Sequence, residues 1–133
     1  MRQSLISRFA KDERGSATIE SLLWFMMFVF LLVLITDVSF IFYGKAQALR
    51  IVQDGNRALS IRFLQTPAQT EAFIEARLRQ YDPGADATTT LNGTTGVIQT
   101  VATLNAEELM AVGSIPGFGD FEFTVTAQHF QEQ

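Results

Sequence analysis

The sequence predicts an α+β protein: one long N-terminal helix, half membrane-spanning and half amphipathic, then a second short helix and a small antiparallel sheet of about three strands. Three observations carry this expectation. Residues 22–43 are apolar with few interruptions, residues 48–63 repeat apolar positions at helical spacing, and from Asp86 the chain turns threonine-rich and β-branched.

The apolar stretch comes first. About 20 apolar residues cross the ~30 Å hydrocarbon core as a helix, so residues 22–43 qualify despite the interruption at Asp37. Up to Gly15 the formal charge is +2, from Arg2, Arg8, Lys11 and Arg14 against Asp12 and Glu13; beyond Gly15 it is −6, which accounts for the net −4. Basic residues flanking a first span set its orientation, so the N-terminus is expected in the cytoplasm and the remainder across the membrane. The acidic far side offers no basic patch for a phosphate backbone, and no nucleic-acid partner is expected. The chain has no cysteine, which permits an oxidising compartment without arguing for one.

Two carboxylates stand out against this background. Asp37 falls about 20 residues into a span that begins near Ala17, close to the outer surface. There it either reaches headgroups and water or meets a basic residue of a neighbouring subunit; at the bilayer centre it would cost about 2.5–3.5 kcal/mol. Glu20 is stranger, because it sits at the mouth of the span where a plain anchor has no use for it. Three readings of the N-terminus remain open. Ala46-Gln47-Ala48 has the small-residue pattern of signal-peptidase cleavage, although the apolar region exceeds the usual ~7–15 residues of a signal peptide. An uncleaved signal anchor leaves Glu20 without a partner. A cut between Gly15 and Ser16 supplies one: the new α-amino group would lie one helical turn from Glu20, and opposite charges at that spacing neutralise each other. Glycine before the cut lets a protease approach the backbone closely.

The motif Arg14-Gly15-Ser16-Ala17-Thr18-Ile19-Glu20, followed by an apolar helix, resembles the processing site of type IV prepilins. The run Ser16-Ala17-Thr18-Ile19-Glu20-Ser21-Leu22-Leu23-Trp24-Phe25 looks most like the TadE and TadF pseudopilins of tight-adherence (Tad/Flp) systems. The resemblance covers roughly residues 8–58, and it departs at Ser21, where the major Flp pilin usually has tyrosine. It implies a leader of residues 1–15 removed by a prepilin peptidase after Gly15, a membrane helix over residues 16–44 and an extracytoplasmic α+β domain over residues 45–133. It also implies that Glu20 serves recognition, processing and assembly, and that the partners are other minor pilins or the major pilin, the inner-membrane assembly platform and membrane lipid. Arg14 before the cut and Asp37 near the outer end of the span are counted with Glu20 as candidate assembly residues. A mature chain of 118 residues is much longer than the short major pilin, so the resemblance points to a minor subunit. The alternative is an unprocessed single-pass protein with a small external binding domain.

After the span the helix is expected to continue. Ala48/Leu49, Ile51/Val52, Gly55/Asn56, Ala58/Leu59 and Arg62/Phe63 form one stripe, read as a domain core, with Arg50, Asp54 and Arg57 spaced for weak pairing on the other face. Gly55 marks a bend or a close approach. Thr66-Pro67-Ala68-Gln69 has the form of a capping box opening a second helix to about Gln80, which Asp82-Pro83-Gly84 stops. Residues 87–91 and 96–104 read as a hairpin about Asn92-Gly93, residues 106–112 as a helical turn, residues 113–119 as a loop, and residues 121–130 as a last strand.

Chemistry-bearing motifs are scarce. His129 is the single histidine and reads as a sheet residue, so no two-histidine site exists. Asp82, Asp86, Asp120 and Glu122 lack calcium-loop spacing and read as solvated turn carboxylates. The 113–119 loop is neither a phosphate loop nor a dinucleotide fingerprint, and Asn92-Gly93-Thr94 reads as a turn rather than a glycosylation acceptor. No nucleophile, base, cofactor or metal set can be assembled, so neither an enzyme nor a cofactor is expected.

Overall fold

The computed structural model describes residues 14–113 and 121–132; the leader residues 1–13, Asp120 and most of the 113–119 loop lie outside the described residues. The expected architecture is found. Helix α1 runs Arg14–Ser60 (47 residues) and α2 runs Pro67–Leu78, followed by strands β1 Asp86–Asn92, β2 Val97–Asn105 and β3 Glu122–Phe130, with a 3-10 turn at Glu107–Leu109 before β3. The chain divides into two units, Met1–Ile35 and Thr36–Gln133.

In the first unit, helical residues 17–32 are exposed on every side. Ile19, Leu22, Trp24, Phe25 and Phe28 each leave more than half of their surface uncovered. A helix that is apolar all round has no face suited to water and is stable only where something apolar surrounds it. Ser21 answers the remaining polar demand internally, its hydroxyl donating to Ala17 O at 2.8 Å.

The second unit packs the later part of α1 and α2 on one face of an antiparallel sheet of order β1-β2-β3. Burial alternates along all three strands, as it must when one face of a sheet is covered and the other is wet. Alanines at 87, 102 and 127 line the covered face, so Ala48 and Val52 of α1 approach the strands without displacing larger side chains; Ile74 and Leu78 of α2 complete the core at 0% exposure. The buried positions of α1 are Asp37, Gly44, Ala48, Ile51, Val52, Gly55, Asn56, Leu59 and Ser60, a stripe of helical period. It starts at Asp37, well before the boundary expected at 44/45. Leu49 and Phe63, read as stripe members, are instead exposed, Phe63 because α1 ends at Ser60 and Arg62 turns into the left-handed region at φ 61°.

Local signals account for the element boundaries. Thr66 caps α2, its hydroxyl accepting from Gln69 N–H at 3.2 Å, while the Gln69 side chain reaches back to Gln65 N–H at 2.9 Å. The hairpin forms as expected, with its loop shifted by one residue to 93–96. Asn92 pairs with Val97 across a four-residue loop, its side-chain oxygen accepts from Thr94 and Thr95 N–H, and the left-handed position falls on Gly96 at φ 67°. The Arg50, Asp54 and Arg57 pairs do not form; among the described residues the ion pair found is Arg79–Glu75 at 3.8 Å. Exposed pairs of long side chains gain too little in water to hold one geometry.

Candidate functional site

The residues singled out by sequence lie along α1. Arg14, Gly15 and Ser16 form its first turn. A protease needs its scissile peptide extended, and glycine is the residue that gives up helical conformation most readily. Glu20 is exposed one turn further on, and it shares a helix face with Leu23, Trp24 and Met27, which together border a shallow groove of about 180 Å³. Among the described residues no hydrogen bond or ion pair engages its carboxylate. A carboxylate is an unusual companion for these apolar side chains, because a charge is costly wherever lipid replaces water around it.

Asp37 is found in another setting than the two expected. It is fully buried, and its Oδ1 accepts the Val112 N–H at 2.9 Å, so its own chain covers it and no neighbouring subunit is required. The loop arrives there through a close contact that the sequence does not announce. An added Cβ at Gly44 would lie 2.7 Å from Leu109 Cδ1, so glycine lets the Leu109 side chain rest on the helix where any other residue would make it shift. At Gly55 the same logic holds for α2: an added Cβ would lie 2.6 Å from Ile74 Cδ1, which settles the choice between bend and close approach in favour of the latter.

Further along α1 a polar cluster crosses the sheet. Thr89, Thr100 and Ala127 are cross-strand neighbours on one rung, and Asn56 lies over them. Asn56 Nδ2 donates to Ala127 O at 3.0 Å and its Oδ1 accepts from the Thr100 hydroxyl, which lies 2.8 Å from the Thr89 hydroxyl. Each hydroxyl has one proton. Thr100 spends its own on Asn56, so Thr89 must be the donor to Thr100. At the end of the helix the Ser60 hydroxyl donates to Phe130 O at 2.9 Å and accepts from Glu132 N–H at 3.2 Å. Asp37, Gly44, Asn56 and Ser60 therefore set the register of the helix against the rest of its unit. The sequence showed Asn56 only as a polar intruder in an apolar stripe.

A cleft of about 580 Å³ is bordered by Asp82, Asp86, Glu108 and Glu122. Asp82 is not a solvated turn carboxylate: it is 3% exposed, its Oδ1 accepts from Gly84 N–H and its Oδ2 from Asn105 N–H, both at 2.7 Å, and it thereby ties the end of α2 to the end of β2. Among the described residues no group of three or more acidic or histidine side chains is placed to hold a metal ion. His129 stands in β3 opposite Ile98, half-buried.

Among the described residues α1 is the one helix long and apolar enough to cross a membrane. No known protein family, characterised protein or solved structure matches the chain.

Proposed function

We propose that this chain is a minor pilin-like membrane protein that takes part in assembling a Tad/Flp type IV pilus and is cut after Gly15 by a prepilin peptidase. The observation that carries the reading is the exposed Glu20 carboxylate on an all-round apolar helix, one turn after the Gly15–Ser16 peptide. Cutting that peptide creates an α-amino group within reach of Glu20, and the pair then enters lipid or a helix bundle as a near-neutral unit. The same cut removes the basic leader that would hold the N-terminus at the membrane surface. The chain sits in the inner membrane with its N-terminus in the cytoplasm and its α+β unit outside, as the charge asymmetry favours. Its partners are the peptidase, other minor pilins or the major pilin, and the assembly platform. It works by assembly and not by catalysis.

The test is the N-terminal sequence of the protein isolated from membranes of cells with and without prepilin peptidase. A start at Ser16 that disappears without the peptidase is expected. A persistent Met1 start in both strains would leave an uncut single-pass protein with an external binding domain and sink the pilin reading.

A further inference from the structure

We infer that the loop of residues 110–112 is a lipid-contacting surface that seats the packed unit on the outer membrane–water interface. The inference rests on the membrane reading above, and its premises are three levels along α1. A span beginning near Ala17 uses up the ~30 Å hydrocarbon core in about 20 residues, which brings Asp37 to the outer hydrocarbon boundary. Val112 is held at that level by its N–H bond to Asp37 at 2.9 Å. Leu109 is held at the level of Gly44 by the contact that leaves no room for a Cβ there. Seven helical residues separate Gly44 from Asp37, so between Leu109 and Val112 the loop descends about 10 Å along the helix toward the bilayer.

What the loop carries fits that place. Val112 is 64% exposed although its backbone is tied down, and on the helix beside it Phe40, Phe42 and Tyr43 are 49%, 67% and 57% exposed. A valine and three aromatic side chains uncovered at one end of a unit make a poor surface for water. They suit the headgroup layer, where aromatic rings concentrate and where a few apolar side chains anchor a peripheral surface. The opposite end of the unit differs: the hairpin loop beside Ser60 carries exposed Asn92, Gly93, Thr94 and Thr95. The loop also limits the register of the span: sliding it to end at Tyr43 would carry irregular backbone about 10 Å into hydrocarbon, which lipid does not tolerate, so the span ends near Asp37. The buried Asp37 carboxylate has a part here too, since its bond holds the loop at the interface.

The chain has no cysteine, so single thiols can be introduced for spin labelling without background. The full chain would be reconstituted in phosphatidylcholine–phosphatidylglycerol vesicles as Val112→Cys, Thr94→Cys or Phe28→Cys. Collision of the label with oxygen, which concentrates in lipid, is compared with collision with a water-soluble nickel chelate. The oxygen-to-nickel ratio at position 112 is expected several-fold above that at position 94 and below that at position 28. A ratio at 112 equal to that at 94, with 28 still lipid-like, overturns the loop contact and leaves the span intact. Low collision with both reagents at 112 means a protein covers the loop and also overturns it. A water-like ratio at 28 overturns the membrane reading itself. Because the Val112 side chain is exposed, its replacement does not disturb the core, and adding Asp37→Ala should return the ratio at 112 toward that at 94.

Discussion

Asn56 of α1 and Thr100 at the centre of the sheet are hydrogen-bonded to each other with both residues fully buried. The bond joins the helix to the middle of the sheet where no water can replace it, so its value lies in what its loss leaves behind. Thr100→Val strands Asn56 Oδ1 and takes from the Thr89 hydroxyl its acceptor; leaving buried polar groups unpaired costs about 1–3 kcal/mol. Thr89→Val removes only a donor to a hydroxyl that keeps its bond to Asn56, and about 0.5–1.5 kcal/mol is expected. Urea unfolding of the purified protein in detergent checks both. Equal losses would refute the assigned proton order.

Gly55 tests the approach of α2. Replacing glycine by alanine inside a helix gains about 1 kcal/mol, whereas overpacking a core costs about 1–3 kcal/mol. With a Cβ only 2.6 Å from Ile74 Cδ1 the second effect wins, so Gly55→Ala destabilises. In an Ile74→Ala background the obstacle is gone and the same substitution becomes neutral or stabilising. A double-mutant cycle in urea reads the reversal, and additive effects would deny the contact.

These two predictions separate what is legible in the sequence from what is not. The Thr66 cap, the Pro67 start of α2 and the strand alternation are written within a few residues and were read correctly because their physics is local. The hairpin loop lies one residue later than expected, because the Asn92 side-chain bonds and the left-handed Gly96 that set the loop ends are not marked by the Asn92-Gly93 pair. Asp37 with Val112, 75 residues apart, and Asn56 with Ala127, 71 apart, leave no periodic trace. Asp37 looked like an intrusion into a span because its partner is a backbone N–H, which every non-proline residue has and no sequence pattern marks. Gly15, Ser16 and Glu20 are of the opposite kind, since the role proposed for them rests on spacing along one helix and so on a pattern that sequence displays.

Arg62 offers a stabilising substitution. Its φ of 61° puts a residue with a Cβ in the left-handed region just after α1, at a strain of about 1–2 kcal/mol. Arg62→Gly removes that strain and restores the usual residue at the end of a helix, at the expense of a more flexible unfolded chain. A gain of about 0.5–1 kcal/mol is expected, seen as a higher urea midpoint. A lower midpoint would mean that the arginine side chain contributes more than its backbone costs.

Asp37 tests the hold on the 110–112 loop. The Val112 N–H, tied at 2.9 Å to a fully buried oxygen, should exchange slowly with deuterium. Asp37→Ala removes the acceptor and should speed exchange at Val112 more than tenfold, which corresponds to loss of about 1.4 kcal/mol of local protection. Asp37→Asn keeps an oxygen in place and should fall between the two. Exchange at Val112 unaffected by Asp37→Ala would show that other contacts hold the loop.

Glu20 carries the proposed assembly role, and its substitutions can separate processing, insertion and assembly. Lipid insertion depends on the apolar side chains around it, so Glu20→Ala should enter the membrane as well as the parent chain. Cutting after Gly15 leaves an ammonium group at Ser16, and without the carboxylate one turn away that charge has no partner on its own chain. A charge left without its partner is costly once the helix end leaves water, because nothing there replaces its hydration. Assembly in Glu20→Ala should therefore fail at the step where the helix end leaves the membrane surface. Glu20→Asp keeps the charge on a shorter arm and should retain partial function, whereas Glu20→Gln, similar in size but neutral, should behave like alanine. Surface piliation and adherence are the readout, with membrane fractionation as the control. Normal piliation in Glu20→Gln would mean that the side chain acts by shape or hydrogen bonding, and the charge-pair account of the junction would have to be abandoned.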